Sequence, residues 1–225
     1  MKTVVITGVG KGIGKALSEK FLSEGWFVIG TVYDPEEAQE SKCSKTIPLY
    51  LSSSDSVVQC INEIIGLDTR IDIVINNAGC LLDRDETRVV IEKLRKTLEV
   101  NLIGTIDFTE RLLPLVNKGG HIVNISSTAG SLERTGFPGA SNFPFLQPSY
   151  KISKAALNMY TRTLALRLQE EEIFVSSIHP GWVKTDMGSE DADRTPEEAS
   201  EEIFNFAISP KDTGGFWSGE SRVPW

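Results

Sequence analysis

The sequence predicts one α/β domain, residues 1–225, in which helices cover both faces of a doubly wound parallel sheet of about seven strands. Short β-branched runs alternate with helical patterns along the chain, as crossover connections between parallel strands require. The runs are almost continuously apolar, which is typical of strands that are covered on both faces. A length of 225 residues fits one such domain with a substantial core.

Seven apolar runs predict the strands, and apolar residues at helical spacing between them predict the helices. The strands are expected at residues 3–7, 27–32, 46–51, 71–75, 121–126, 174–178 and 215–218. Helices are expected around residues 13–21 and 57–65, along 91–106 with an end near Pro114, and over 149–169 and 196–207. Two loops stand out: 128–148, rich in glycine, proline and phenylalanine, and 184–195, which is polar and acidic.

The composition excludes several classes of partner. A net charge of −8 and the lack of any basic run argue against a nucleic-acid partner. No apolar run approaches the length of a bilayer span, so no membrane partner is expected. Cys43, Cys60 and Cys80 lack metal-ligand spacing, so we expect reduced thiols and no metal site. The N-terminus leads straight into the first strand without a signal-peptide pattern, which predicts a cytoplasmic protein.

A glycine-rich segment follows the first predicted strand and opens the first predicted helix, with the pattern Gly8-x-x-x-Gly12-x-Gly14. The first glycine allows a tight turn, the second lets a pyrophosphate approach the backbone, and the third permits close packing of helix on strand. The phosphates would lie on free N–H groups at the helix N-terminus. A purely structural turn is the alternative. The segment predicts a dinucleotide site formed by Gly8, Gly10, Lys11, Gly12, Ile13 and Gly14.

Tyr150 and Lys154 lie one helical turn apart and therefore share a helix face. A nearby ammonium favours the phenolate and can lower a tyrosine pKa from about 10 by roughly 1–3 units. Such a phenol exchanges a proton with an alcohol or carbonyl near neutral pH. Alone, the pair is usually a solvated helix face. Together with the glycine-rich segment, it predicts an oxidoreductase.

Six motifs in order along the chain resemble those of the short-chain dehydrogenase/reductase family, whose members have the Rossmann fold. The motifs are the segment Gly8–Gly14, Asn76-Asn77-Ala78-Gly79, Asn101 in a helix, Ser126-Ser127 after a strand, Tyr150 with Lys154, and Pro180-Gly181-Trp182-Val183-Lys184-Thr185. Residues 179–188 and the C-terminal residues 213–225 are most similar to the C-factor and carbonyl-reductase branch of that family.

The resemblance implies a catalytic role for four residues. Tyr150 would be the general acid in carbonyl reduction and the base in alcohol oxidation. Ser127 would donate a hydrogen bond to the substrate oxygen. Lys154 would lower the tyrosine pKa and bind the nicotinamide ribose. Asn101 would hold a water that links Lys154 to solvent.

The resemblance also implies which residues bind the dinucleotide. An acidic residue that would select NAD is replaced by Val32, whereas Lys11 stands where a cation often faces the 2′-phosphate of NADP. Against this, Tyr33 replaces an arginine of NADP-dependent relatives, and Asp34 could reach the adenosine ribose. NADP(H) is therefore favoured, with NAD(H) as the alternative. The expected further contacts are Tyr33, Asn77, Ala78, Gly79, Tyr150, Lys154, Pro180, Gly181, Val183 and Thr185.

Two loops are expected to shape the substrate side. Ser127 and Tyr150 lie 23 positions apart, more than in most of the family, and residues 137–148 between them are rich in phenylalanine and proline. We interpret this insertion as an aromatic wall over the substrate, with a structural surface loop as the alternative. In related carbonyl reductases such an insertion obstructs a helix-packed tetramer. The resemblance therefore disfavours that tetramer but leaves a homo-oligomer possible. The short segment 184–195 should leave the opposite wall open.

These patterns favour an NADP(H)-dependent reductase of aldehydes or ketones, reversible toward alcohol oxidation. A small-molecule carbonyl or alcohol would be its substrate. The alternative is a dinucleotide-binding regulatory or signalling protein of the C-factor type. A protein that had lost catalysis would be expected to lack Tyr150 or Lys154, and both are present.

Overall fold

The computed structural model describes residues 1–34, 36, 41–135 and 146–225. The strands found there are β1 (Thr3–Ile6), β2 (Phe27–Val32), β3 (Lys45–Pro48), β4 (Ile71–Asn76), β5 (Val116–Ile125), β6 (Phe174–Ile178), β7 (Gly215–Ser218) and β8 (Ser221–Arg222). The α-helices are α1 (Gly12–Ser23), α2 (Ser54–Ile65), α3 (Ile91–Leu98), α4 (Thr105–Leu112), α5 (Pro148–Arg167) and α6 (Pro196–Ile208). A π-helical segment covers Glu99–Gly104, and 3-10 turns cover Leu113–Leu115 and Thr128–Gly130.

Within the described residues the strands form one sheet in the order β3-β2-β1-β4-β5-β6-β7-β8. The strands from β1 to β7 are parallel to their neighbours, and β8 runs antiparallel to β7. The order reverses between β1 and β4, which places a crevice at the carboxyl ends of these strands. The predicted doubly wound parallel sheet is confirmed.

Besides β5, which begins at Val116 rather than at residue 121, the predicted elements differ from the observed ones at three main places. All seven predicted strands are found, but β8 was missed because its two exposed residues carry no apolar pattern. The third strand ends at Pro48, three residues earlier than expected. The predicted long helix is continuous in space, yet its middle turn is π-helical and separates α3 from α4. A helical hydrophobic period does not distinguish a π-helical turn from an α-helical one.

Two apolar layers sandwich the sheet, because alternate side chains of each central strand point to opposite faces. In β1, Val5 belongs to one layer, while Val4 and Ile6 belong to the other. The first layer contains fully buried Phe108 of α4, and the second contains fully buried Phe21 of α1. This double burial explains why the strands are almost continuously apolar.

Replacement of Gly104 by alanine should destabilise the fold. A Cβ added at Gly104 would lie 1.9 Å from the carbonyl oxygen of Leu51, so the π-helical segment would have to move away from the end of the β3 connection. Overpacking of this kind costs about 1–3 kcal/mol of the free energy of unfolding. Chemical denaturation monitored by circular dichroism measures this loss.

Gly66→Ala is the matched control for that measurement. Its Cβ would lie 3.4 Å from the nearest atom, and its backbone is in the right-handed helical region. The control should change the free energy of unfolding by less than about 1 kcal/mol, in the stabilising direction if at all. Equal effects of the two substitutions would contradict the assigned close contact at Gly104.

Candidate active site

A cleft of about 710 Å³ lies at the carboxyl ends of β1, β4 and β5 and extends under the loop after β6. It brings together most of the residues that the sequence singled out. The lining residues predicted from the sequence to bind the dinucleotide or to act in catalysis are Gly8, Gly10, Lys11, Gly12, Ile13, Gly14, Tyr33, Asn77, Ala78, Gly79, Tyr150, Lys154, Pro180 and Thr185.

The glycine-rich segment is shaped for a close approach by a ligand. Gly8 and Gly12 have positive φ angles of 74° and 56°, which favour glycine. A Cβ at Gly14 would lie 2.0 Å from the carbonyl oxygen of Gly8, so only glycine lets the helix start against the turn. The side-chain amide of Asn77 donates to the carbonyls of Thr7 at 2.9 Å and Gly8 at 3.1 Å, which ties the turn to the end of β4. This cradle fits a dinucleotide pyrophosphate at the N-terminus of α1.

At the far end of the cleft, Lys11 forms an ion pair with Asp186, with 2.6 Å between Nζ and Oδ2. Both side chains are exposed, and the hydrogen bond from Lys11 lowers the pKa of Asp186. Tyr33 packs edge-on against Tyr50, with 5.0 Å between ring centroids. Asp34 is exposed and accepts a hydrogen bond from the backbone N–H of residue 36. An exposed cation and an aromatic ring therefore border the place where we expect an adenosine ribose to bind.

Tyr150 and Lys154 of α5 face the end of β5. Lys154 is 5% exposed, and its Nζ donates to the carbonyl of Ile125 at 2.8 Å. The same Nζ lies 5.6 Å from the centroid of the Tyr150 ring. The Tyr150 hydroxyl shares a hydrogen bond with Ser127, whose Oγ also accepts from the N–H of Ala129 at 3.1 Å. The structure thus groups Ser127, Tyr150 and Lys154 as predicted, although Ser127 itself does not line the cleft.

The lowering of the Tyr150 pKa by Lys154 stays a prediction, because burial dominates the pKa of Tyr150 in this structure. Burial raises the pKa of Tyr150 to about 12, and the hydrogen bond with Ser127 offsets only part of that rise. Burial also lowers the pKa of Lys154 to about 8. The physical reason is that desolvation penalises both charged forms, while the ammonium is directed to a backbone carbonyl rather than to the phenol oxygen.

Asn101 lies in the π-helical segment, and its side chain forms hydrogen bonds to other residues of the protein. Its Oδ1 accepts from the N–H of Cys80 at 2.7 Å, and its Nδ2 donates to the carbonyl of Cys80 at 2.9 Å and to Ser153 Oγ at 3.1 Å. Asn101 therefore does not line the cleft, and its role in a water relay stays a prediction. Burial raises the pKa of the Cys80 thiol, which agrees with a packing residue rather than a nucleophile.

The loop after β6 uses two of its predicted cofactor residues for its own structure. Gly181 has a φ of 86°, and a Cβ there would lie 2.6 Å from Cδ of Arg194. Val183 is buried and pairs with Arg194 in a short parallel bridge. Arg194 also donates to the carbonyl of Pro180 at 3.0 Å. Gly181 and Val183 therefore shape the loop, whereas Pro180 and Thr185 line the cleft.

The sequence missed Arg84, which crosses the cleft. Its Nη2 donates to the carbonyls of Asp186 at 3.0 Å and Met187 at 2.8 Å. The segment 184–195 was expected to leave its wall open, but Arg84 and Lys11 hold it across the cleft, and Met187 and Glu190 line it. An isolated arginine without a motif gave no signal of this contact. The other lining residues that the sequence missed are Leu81, Ile125, Ser126, Lys184, Asp186, Glu190 and Pro196.

Several expectations concern other parts of the chain. Phe137, Phe143 and Phe145 lie outside the described residues, and with them most of the expected aromatic wall. Trp182 is 50% exposed and does not line the cleft. The described residues contain no group of three or more histidine, cysteine, aspartate or glutamate side chains that could hold a metal ion. No helix in this described part is long and apolar enough to cross a membrane. The oligomeric state stays a prediction.

Three features together define the class of an NAD(P)-dependent oxidoreductase. They are the strand order, the glycine-rich cradle and the grouping of Ser127, Tyr150 and Lys154. The sequence profile described as short chain dehydrogenase matches residues 2–196. A 3-oxoacyl-(acyl-carrier-protein) reductase of Aquifex aeolicus is 32% identical over 213 residues, which are 90% of this chain and 82% of that protein. The NADPH-dependent 3-dehydrocapnine reductase of Ornithobacterium rhinotracheale is 33% identical over 201 residues, 83% of this chain and 67% of that protein.

Solved structures of carbonyl reductases are similar over the full length of the chain. The carbonyl reductase Sniffer of D. melanogaster gives a TM-score of 0.88 at 26% identity, covering 100% of both chains. The NADPH-bound carbonyl reductase from chicken fatty liver gives a TM-score of 0.89 at 28% identity, covering 100% of this chain and 94% of that one. The chain belongs to the short-chain dehydrogenase/reductase family.

Proposed function

We propose that this protein reduces an aldehyde or ketone to an alcohol with NADPH, and that the reaction is reversible. The observation that carries the proposal is the Tyr150 hydroxyl, which is hydrogen-bonded to Ser127 and opens onto the same cleft as Lys154 and the glycine-rich segment. A proton donor, a hydrogen-bond donor and a cation at the end of a dinucleotide cleft suit carbonyl reduction.

The cleft contains the residues that would hold the dinucleotide. Gly12 and Gly14 would admit the pyrophosphate to the N-terminus of α1, where backbone N–H groups are free to bind it. Pro180 and Thr185 also line the cleft, and the loop that contains them would cover the nicotinamide. The bound cofactor would supply the hydride.

Tyr150 supplies the proton in this proposal. Its raised pKa keeps the phenol protonated at neutral pH, which is the form that a general acid needs. Ser127, already hydrogen-bonded to Tyr150, would turn its hydroxyl to the substrate oxygen and stabilise the charge that develops there. Lys154 would stabilise the phenolate that remains after proton transfer, because its ammonium lies 5.6 Å from the ring centroid.

Lys11 supports NADP(H) over NAD(H). It lines the cleft at its far end with an exposed ammonium, and its observed partner Asp186 is an exposed side chain that can turn away at little cost. The 3-dehydrocapnine reductase and the chicken liver carbonyl reductase are both described with NADPH. Relatives act on chemically different carbonyls, so a panel of aldehydes, ketones and 3-oxoacyl thioesters is the appropriate assay. Binding of NADPH without turnover of any of them would favour the regulatory alternative.

Tyr150→Phe should abolish turnover and leave NADPH binding nearly intact. The substitution removes the proton donor but keeps the ring and leaves Lys154 in place. Loss of general acid catalysis should lower kcat by at least about 10²–10⁴-fold. Steady-state assays of NADPH oxidation and fluorescence titration of NADPH measure the two quantities.

Tyr160→Phe is the matched control, because it removes a hydroxyl from the same helix that donates to Glu110 at 3.0 Å, away from the cleft. Its kcat should stay close to that of the unmodified protein. A Tyr150→Phe variant that keeps more than a small fraction of the activity would rule out Tyr150 as the acid.

Lys11→Ala should weaken NADPH binding more than NADH binding, because only NADPH presents a phosphate to this ammonium. A charge-assisted contact of this kind contributes about 1.5–3 kcal/mol. Lys15→Ala is the control, since Lys15 lies in the next turn of α1 and does not line the cleft. Titration of each variant with both cofactors is the measurement, and an equal loss for the two would argue against NADP(H).

The reduction rate should fall as the pH rises through about 8. Burial lowers the pKa of Lys154 to about 8, so the ammonium is present below that pH and is lost above it. Without the ammonium, the phenolate left by Tyr150 is no longer stabilised. The pH profile of kcat at saturating NADPH tests this, and Lys151→Met, next to Tyr150, should leave the profile unchanged. A flat profile up to pH 10 would contradict the role of Lys154.

A further inference from the structure

We propose that Asp83 is a positioning residue for Tyr150, acting as the missing N-terminal cap of helix α5; this rests on the proposed function. Asp83 is 1% exposed, although its neighbours in the loop, residues 81–82 and 84–90, are exposed or half-buried. Its Oδ2 accepts a hydrogen bond from the backbone N–H of Ser149 at 2.5 Å. Ser149 directly precedes Tyr150, so the carboxylate holds the backbone one residue before the proposed catalytic residue.

Helix α5 has no cap of its own. The residue at its N-cap position, Gln147, is left-handed with φ 39° and ψ 55°, and its side chain makes no capping hydrogen bond. Pro148 follows and has no N–H to donate. The N–H of Ser149 is therefore the first donor of the helix, and it has no local acceptor of the kind that serine, threonine or aspartate usually provides. Asp83 supplies that acceptor from 66 residues away.

A carboxylate is well suited to this position. Helix N-termini carry a partial positive charge, and a hydrogen bond from a backbone N–H to a carboxylate is charge-assisted. A buried carboxylate requires such partners, since an isolated buried charge is costly. The contact therefore fixes both Asp83 and the first turn of α5, rather than being a fortuitous approach of two surface groups.

The same stretch of chain holds Tyr150 from a second side. Cys80 is bonded through its backbone to the side chain of Asn101, and Asn101 donates to Ser153 Oγ at 3.1 Å. Ser153 Oγ in turn donates to the carbonyl of Tyr150 at 2.7 Å. The N–H of Ser149 and the carbonyl of Tyr150 are thus both tied to the segment that follows Asn77-Ala78-Gly79. Fraying of the first turn would move the hydroxyl relative to Ser127.

Two buried atoms of the contact lack a partner within the described residues, Asp83 Oδ1 and Ser149 Oγ. They define an informative pair of substitutions. Asp83→Asn keeps an oxygen that can accept from the N–H of Ser149 but removes the negative charge. Asp83→Ala removes the acceptor altogether. The neighbouring Asp85 is exposed, so Asp85→Ala is a control for the loss of one negative charge and one side chain from the same loop.

The test compares these three variants with the unmodified full-length protein in three measurements. These are kcat for carbonyl reduction, the Kd for NADPH, and hydrogen–deuterium exchange of peptides that cover residues 146–156. Displacements of about 1 Å can cost about 10²-fold in rate. Asp83→Ala should lower kcat by roughly 10–100-fold with less than about a 3-fold change in Kd, and should accelerate exchange at the start of α5. For Asp83→Asn, kcat and the exchange rate should lie between those of Asp83→Ala and the unmodified protein. For Asp85→Ala, all three measurements should match those of the unmodified protein.

A merely structural role for Asp83 would lower the melting temperature but leave kcat of the folded enzyme and the exchange at α5 unchanged, and this would overturn the proposal. If Asp83→Ala does not fold, Asp83→Leu decides, because leucine fills a similar space without an acceptor: an unchanged kcat and unchanged exchange overturn the proposal, while a lower kcat with faster exchange supports it. If the unmodified protein reduces no carbonyl in the panel, the proposed function fails by itself. The exchange of residues 146–156 then still shows whether Asp83 caps the helix.

Discussion

The position of the catalytic helix depends on a chain of buried hydrogen bonds between the strand ends and α5. Asn76 of β4 donates to Asn124 of β5 at 2.7 Å, Asn124 donates to Thr161 of α5 at 2.8 Å, and Thr161 lies 2.8 Å from the hydroxyl of Ser177 in β6. All four side chains are buried. Apolar contacts alone tolerate sliding of a helix on a sheet, whereas buried polar groups are costly when unpaired. The network therefore fixes one register of α5 against three strands.

That register determines where the reacting groups meet. One turn before Thr161, Asn158 accepts from Ser126 Oγ at 2.6 Å, and one turn earlier again Lys154 donates to the carbonyl of Ile125. These contacts place the N-terminal end of α5 beside the end of β5, where Ser127 follows. Because parallel strands all end at the same edge, the glycine-rich segment after β1 and the loop after β6 open onto the same cleft. Three distant parts of the sequence thus form one site.

The sequence was sufficient for those features that depend on local patterns. Continuous apolar runs and the glycine spacing predicted the sheet and the dinucleotide cradle, because each needs particular residue types at a fixed spacing. The sequence was not sufficient for features that depend on contacts between residues far apart in the chain. Three contacts join residues that share no sequence pattern. They are the cap of α5 by Asp83, the hydrogen bonds of Arg84 across the cleft, and the bridge between Arg194 and Val183. The rise of the Tyr150 pKa by desolvation was missed for a similar reason, because a four-residue spacing contains no information on burial.

Burial acts on both titrating groups of the site in the direction of the neutral form. It raises the pKa of Tyr150 to about 12 and lowers that of Lys154 to about 8. A phenol and an ammonium coexist between these values, so at neutral pH the site holds a proton donor together with a cation. If Tyr150 donates its proton, the phenolate that remains would lie near the Lys154 ammonium, and opposite charges attract each other more strongly in a low-dielectric site than in water. That attraction would lower the pKa of Tyr150, whereas desolvation raises it, so the two effects oppose each other and desolvation is the larger of the two before a cofactor or substrate is bound.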